Sequence, residues 1–256
     1  MSDQSIPKDM PDLSGRVACV TGASSGLGAR AATVLAAAGA QVVGIARREA
    51  KLKVWKEATG ANAAYVVADL ANLSEIPAIA TAVSEPFGAP DILVHAAGIN
   101  TREAADDVTP DGWDVTLSLN LSAPFLLSQQ FVPAMKKRGW GRIVNFASLQ
   151  TYRAFPGGIA YGVSKAGVGQ MTRAMAEAWS SDGINANAIG PGFFHTELTA
   201  AVFNDPERAA RNAAQTCVGR NGEPEDLDGP LLFFCSDASA YVTGQVLMVD
   251  GGFTAK

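Results

Sequence analysis

From residue 16 to residue 46 the chain passes through a short apolar run, a glycine-studded turn, an alanine-rich stretch and a second apolar run, and few folds accept that order. Arg16-Val17-Ala18-Cys19-Val20 is apolar at four consecutive positions after the arginine, the pattern of a strand covered on both faces. Thr21-Gly22-Ala23-Ser24-Ser25-Gly26-Leu27-Gly28 then leads into a helix over 29–38, which Gly39 closes as a C-cap. Gln41-Val42-Val43-Gly44-Ile45-Ala46 is the second strand. Two strands joined by a helix within about 30 residues make a parallel β-α-β unit. The alternation continues: helix 49–59, strand 63–68, helix 74–85, strand 91–95, helix 110–138, strand 141–147, helix 159–181, strand 184–189, helix 224–235 and strand 245–249. With no linker, tandem repeat or low-complexity tract to divide it, the chain reads as one α/β domain over 1–256.

The turn after the first strand carries chemistry as well as topology. Gly22, Gly26 and Gly28 let the backbone bend sharply and approach a ligand closely, and the following helix offers unpaired N–H groups and the positive end of its dipole to a phosphate. The spacing is G-x-x-x-G-x-G, which departs from the G-x-G-x-x-G dinucleotide fingerprint, so the β-α-β context carries the reading. An acidic residue at the end of the second strand would bind the ribose hydroxyls of NAD(H). This chain has Ala46 and then Arg47-Arg48, and an arginine there suits a 2′-phosphate. NADP(H) is therefore favoured over NAD(H), with Arg47 preferred to Arg48. Asp69, after the third strand, is either an acceptor for an adenine amino group or a plain loop carboxylate. His95-Ala96-Ala97-Gly98 closes the fourth strand with small residues that keep a crevice open for a flat ligand, and His95 itself reads as a packed histidine.

A second centre lies between Ser148 and Lys165. The strand 141–147 runs into Ser148, a Pro-Gly-Gly loop follows, and the next helix carries Tyr161 and Lys165 on one face, four residues apart. A free tyrosine hydroxyl, with a pKa of about 10, exchanges protons poorly at neutral pH. A lysine ammonium beside it is expected to lower that pKa, and Ser148 could hydrogen-bond the oxygen that gains or loses the proton. Asn120 interrupts a long helical pattern with a mediocre helix former, either exposed or aimed into a site. Gly162, Ala166, Gly169 and Arg173 share the helix side away from Tyr161, an expected packing surface for another helix, including one from a second subunit. The irregular stretch 193–222, with Phe193, Phe194, Phe203 and His195, follows a strand's carboxyl end and reads as a lid.

Composition removes several classes of function. A formal net charge of -5 and no basic run longer than Lys136-Lys137-Arg138 argue against nucleic acid as the partner. Cys19, Cys217 and Cys235 have neither metal-type nor paired spacing, so no metal site is expected and the thiols read as reduced, in a cytoplasmic protein. The stretch 1–12 is polar and broken by Pro7 and Pro11, without the apolar core of an export signal, and no segment reaches the roughly 20 apolar residues of a membrane span.

Taken in order, Thr21-Gly22…Gly26…Gly28, Asp69-Leu70, His95-Ala96-Ala97-Gly98, Asn120, Ser148, Tyr161…Lys165, Pro191-Gly192 with Thr196, and Val249-Asp250-Gly251-Gly252 resemble the short-chain dehydrogenase/reductase family from Leu13 to Phe253. His95 stands where that family often has asparagine. The resemblance implies a doubly wound Rossmann domain with a seven-stranded parallel sheet and helices on both faces, assembled as a homotetramer or homodimer through its long helices. It also implies a hydride exchanged with a carbon bearing an alcohol or ketone. Asn120, Ser148, Tyr161 and Lys165 are then the catalytic residues. Tyr161 is the acid/base, Lys165 tunes it and holds the nicotinamide ribose, and Asn120 supports a water that relays the proton. Coenzyme contacts fall to Gly22, Ser24, Ser25, Gly26, Leu27, Gly28, Arg47, Arg48, Asp69, Leu70, Ala96, Ala97, Gly98, Tyr161, Lys165, Pro191, Gly192 and Thr196, the last three around the carboxamide. Within the family the chain is similar to reductases of sugar acids and polyols, and also to 3-oxoacyl-(acyl-carrier-protein) reductases. A dinucleotide-binding regulator without chemistry is the non-enzyme alternative, and intact Ser148, Tyr161 and Lys165 argue against it.

Overall fold

Seven apolar runs become seven parallel strands, β1 (Val17–Thr21), β2 (Gln41–Ala46), β3 (Ala63–Val67), β4 (Ile92–His95), β5 (Gly141–Phe146), β6 (Ile184–Pro191) and β7 (Val246–Val249), in the order β3-β2-β1-β4-β5-β6-β7. The computed structural model describes residues 11–256. The reading of 1–12 as lacking an export signal falls almost wholly outside that range. The chain winds outward from β1 to β3, then returns to the centre to lay β4 against the free side of β1. The strand order therefore reverses between β1 and β4, and their carboxyl ends diverge there into a crevice. Thr21 stitches its floor by accepting a 3.0 Å hydrogen bond from the Ala97 N–H.

Helices α1 (Gly26–Ala37), α2 (Glu49–Thr59) and α9 (Asp228–Cys235) cover one face of the sheet. The other face packs against α3 (Ile76–Ser84), α5 (Ala123–Arg138) and α6 (Ile159–Trp179). Both faces are thus apolar and covered, which is why β1, β4 and β5 are buried at every position. Alanines at 31, 32 and 36 let α1 lie close to the sheet. Arg30 of α1 forms a charge-assisted pair with Asp228 at the start of α9, and this raises the arginine's pKa further. With both side chains nearly buried, Asp228→Ala removes the shorter of two ion pairs of Arg30 and leaves the one to Glu225 at 3.4 Å. The variant is expected to lose about 2 kcal/mol of stability, read as a lower melting temperature by calorimetry.

Two expectations change here. The helix over 110–138 is α4 (Pro110–Leu117) and α5 separated by a π turn, Ser118–Ser122. Pro124 is the physical cause: it has no N–H to give the Asn120 carbonyl four residues earlier, and its ring crowds that carbonyl. The small-residue side of α6 is covered in part by the turn 149–151 of its own chain and not by another helix, while its Ala166 and Arg173 remain exposed. A Cβ on Gly162 would stand 3.2 Å from Gln150 Oε1, and one on Gly169 would stand 3.1 Å from Thr151 Cγ2. The exposed apolar side chains of α6 are instead Ile159 and Val163. Beyond β6, the stretch 193–222 holds only short helices, α7 (Ala200–Phe203) and α8 (Pro206–Gln215).

Candidate active site

A cleft of about 790 Å³ opens along the carboxyl ends of the strands, and its walls are the segments that the sequence singled out. At its outer end β1 turns into α1. Gly22 and Gly26 have left-handed φ of 74° and 55°, where other residues are strained. Gly28 is needed for space, since a Cβ there would lie 2.4 Å from the Gly22 carbonyl oxygen. Ser25 precedes α1 in an extended conformation and its side chain caps nothing, so the first-turn N–H groups of α1 have no side-chain partner. A helix end bared in this way fits a dinucleotide's phosphates.

The two arginines after β2 divide differently from the expectation. Arg48, not Arg47, turns back onto the glycine turn. It donates to Ser24 Oγ at 3.1 Å and to Ser25 Oγ, and pairs with Glu197 at 2.7 Å. Arg47 lies in solvent and reaches Asp69 at 3.5 Å. Asp69 in turn accepts from the Ala71 N–H at 3.0 Å, so its carboxylate serves a loop and an exposed ion pair at the rim.

At the inner end β5 delivers Ser148. Its hydroxyl accepts from the Gln150 N–H at 3.1 Å, while Thr151 returns a bond to the Ser148 N–H, a reciprocal cap that fixes the serine. One helix later, Tyr161 and Lys165 rise from α6 into the cleft wall. Lys165 is buried and donates to the Phe146 carbonyl at 2.6 Å. Burial pulls its pKa down to about 8. Its Nζ lies 5.7 Å from the centre of the Tyr161 ring. The expected lowering of the Tyr161 pKa is not what this environment gives. Half-buried by exposure but ringed by protein, the phenol is raised above its ordinary value by desolvation. The Ser148 hydrogen bond and the Arg102 charge oppose that rise without reversing it. Tyr161 is thus held as the neutral acid.

Asn120 alone among the expected residues does not line the cleft. From the π turn it clamps Ile99, accepting from its N–H and donating to its carbonyl, both at 2.9 Å, and it also donates to Ser164 Oγ at 3.0 Å. Gly98 sits between it and Lys165: a Cβ at 98 would be 3.2 Å from Asn120 Oδ1 and 3.7 Å from Lys165 Nζ. His95 accepts or donates a 2.8 Å bond with Ser128 and burial lowers its pKa to about 3, so it is a neutral packed histidine, as expected. His195 packs against Phe203, 4.8 Å between ring centres, outside the cleft lining. Leu27, Leu70, Ala96 and Ala97 supply apolar wall, Pro191 and Gly192 line the cleft after β6, and Thr196 reaches the glycine turn beside Gly26. Gly192 has no room for a side chain because Asp250 Cα would be 2.8 Å from its Cβ. Asp250 is itself held by Thr254, which explains the Val249-Asp250-Gly251-Gly252 run.

Arg102 was not among the expected residues. It lines the cleft, its charge reaches Tyr161, its backbone takes a left-handed φ of 58°, and its guanidinium donates to the Leu198 carbonyl. Its only sequence signal is a cation a few residues beyond a strand's carboxyl end.

The family model described as enoyl-(acyl carrier protein) reductase matches residues 22–254. The 2-dehydro-3-deoxy-D-gluconate 5-dehydrogenase of Pseudoalteromonas atlantica is 37% identical over 251 residues, 95% of this chain and 98% of that protein. A 3-oxoacyl-(acyl-carrier-protein) reductase of Vibrio cholerae is 36% identical over 241 residues, 94% of this chain and 98% of its own. A gluconate 5-dehydrogenase of Burkholderia cenocepacia, solved with NADP and tartrate, superposes with a TM-score of 0.89 at 35% identity, covering 95% of this chain and 97% of that one. A family model over 22–254 and relatives that match over nearly their whole length leave a single assignment: the chain belongs to the short-chain dehydrogenase/reductase family.

Proposed function

We propose that this protein interconverts a secondary alcohol and a ketone on a sugar acid, sugar or polyol, using NADP(H) in preference to NAD(H). The observation that carries the reading is the meeting of Ser148, Tyr161, Lys165 and Arg102 at one end of the cleft whose other end is the glycine turn with Arg48. When bound, the nicotinamide supplies or takes the hydride at the reacting carbon. In the reducing direction Tyr161 gives the proton of its hydroxyl to the oxygen that was the carbonyl, and Ser148 donates a hydrogen bond to that oxygen. Lys165, anchored on Phe146, keeps its ammonium beside the phenol and the ribose position. Asn120 is a positioning residue, fixing Ile99 and hence Gly98 against Lys165.

Arg102 supports a carboxylate-bearing substrate, because a guanidinium facing the proton donor pairs well with an acid group a few atoms from the carbonyl. Arg102→Ala is expected to raise KM for a keto sugar acid by about tenfold or more while changing kcat much less. An equal KM for the variant removes the arginine from substrate binding. Since burial keeps Tyr161 protonated at neutral pH, reduction should hold its rate from about pH 6 to about pH 7 and fall as Lys165 loses its proton at about pH 8, while oxidation, which needs the phenolate, should climb with pH through the neutral range. A rate–pH profile in both directions checks the sign. Coenzyme preference is tested by comparing kcat/KM for the two dinucleotides, where at least about tenfold in favour of NADP(H) is expected from a charge-assisted 2′-phosphate contact.

The 3-oxoacyl-(acyl-carrier-protein) reductase reading needs a basic surface beside the cleft for an acidic carrier. Of the cations available for it, Lys136 and Arg138 sit at the far, amino-terminal edge of the sheet and are paired with Asp182 and Asp91, while Arg208 of the Arg208/Arg211 pair lines the cleft and is the thin support that remains. The protein self-associates as a dimer or tetramer through the helices at the π turn, where Phe125, Leu121, Leu126 and Met171 form an apolar groove. A monomer in size-exclusion chromatography with light scattering rules this out. The buried Cys19 thiol, pushed up to about 12, and the buried Cys235 fit a reducing, cytoplasmic setting. Among the described residues no helix is long and apolar enough to cross a membrane.

A further inference from the structure

Glu197 ties the stretch after β6 to the two cations that follow β2. It directly follows Thr196, whose side chain lies beside Gly26 of the glycine turn, and its carboxylate points on to the cations beyond the end of β2. There it takes Arg48 at 2.7 Å on one oxygen and Lys51 at 2.8 Å on the other. Arg48 and Lys51 lie one helical turn apart, so both cations face the same spot beyond the end of β2. That spot is where the adenosine ribose of a dinucleotide falls in this topology. A single carboxylate therefore stands where a 2′-phosphate would find its cations.

We propose that Glu197 sets the coenzyme selectivity of the cleft, by holding Arg48 and Lys51 until a 2′-phosphate displaces it. The inference rests on the NADP(H) reading above. NADP(H) must break both ion pairs before Arg48 and Lys51 can turn to its phosphate, whereas NAD(H) brings no anion to that spot and leaves them intact. The carboxylate thus weakens the preferred coenzyme and neutralises the cations when the other one binds, which keeps the two affinities closer than Arg48 and Lys51 alone would make them. Its pKa is held down to about 2 by Lys51 and Arg48, so the competition is present at every working pH. All three side chains are about half exposed, which makes each pair worth little individually and sensitive to salt.

The test is the dissociation constant of NADPH and of NADH, measured by the enhancement of reduced-nicotinamide fluorescence, for the full chain and two exposed-site variants. Glu197→Gln should tighten NADPH by about fivefold and leave NADH within about twofold, the difference shrinking at about 0.5 M salt. Lys51→Met should do the reverse for NADPH, weakening it by a similar factor with NADH unmoved. Equal effects of Glu197→Gln on both coenzymes, or weaker NADPH binding by that variant, overturn the proposal while the NADP(H) reading stands. A wild-type chain that binds NADH more tightly than NADPH overturns the reading, and the proposal with it.

Discussion

Tyr161→Phe is expected to lower kcat by about a thousandfold in either direction and to change the coenzyme dissociation constant by less than about threefold. The substitution removes one oxygen and leaves the ring, so the packing of α6 and the position of Lys165 against the Phe146 carbonyl persist. Only the proton is lost. Ser148 can still hydrogen-bond the reacting oxygen, but its own hydroxyl is a far weaker acid, and its lone pair is already committed to the Gln150 N–H. Steady-state turnover together with coenzyme titration separates the two effects. A variant with near-normal kcat removes Tyr161 from the proton transfer.

Gly28→Ala is the second large effect, and it acts at the other end of the cleft. An added methyl would meet the Gly22 carbonyl oxygen at 2.4 Å and the Thr21 carbonyl oxygen at 3.1 Å, both backbone atoms that cannot swing aside. Either α1 moves away from β1 or the turn opens, and both displace the bared N–H groups from the phosphate position. A stability loss of about 2 kcal/mol is expected from overpacking, with coenzyme binding weakened by at least about a hundredfold. Calorimetry and coenzyme titration read the two quantities independently. Wild-type affinity in this variant would mean that the turn does not hold the phosphates.

The alternation of apolar strands and helices was legible because fully covered parallel strands must be apolar at consecutive positions, as β1 and β5 are. The cleft walls were legible for a related reason: glycines that admit no Cβ, such as 22, 28 and 192, and a Tyr–Lys pair on one helix face leave marks in the sequence itself. Side-chain direction left none. Arg47 and Arg48 are chemically identical neighbours, and only the path of the chain beyond β2 decides which one returns to the glycine turn. The π turn at Asn120 depended on a proline four residues later, a pairing that the apolar periodicity of 110–138 concealed. The sign of the Tyr161 shift was missed because it is set by burial, which is a property of everything packed around the phenol and not of Lys165 alone. Arg102 was missed because its reach into the cleft depends on a left-handed backbone that no local residue announces.

The central claim is a hydride transfer between NADP(H) and a carbonyl on a sugar acid, with Tyr161 as the proton donor. Its most direct test is the oxidation of NADPH, followed by absorbance, with keto sugar acids, neutral keto sugars and a β-ketoacyl thioester under one set of conditions. The highest kcat/KM is expected for a keto sugar acid, at least about tenfold above the thioester, with that advantage lost in Arg102→Ala. Faster turnover of the thioester, or no NADPH oxidation with any member of the panel, would contradict that claim.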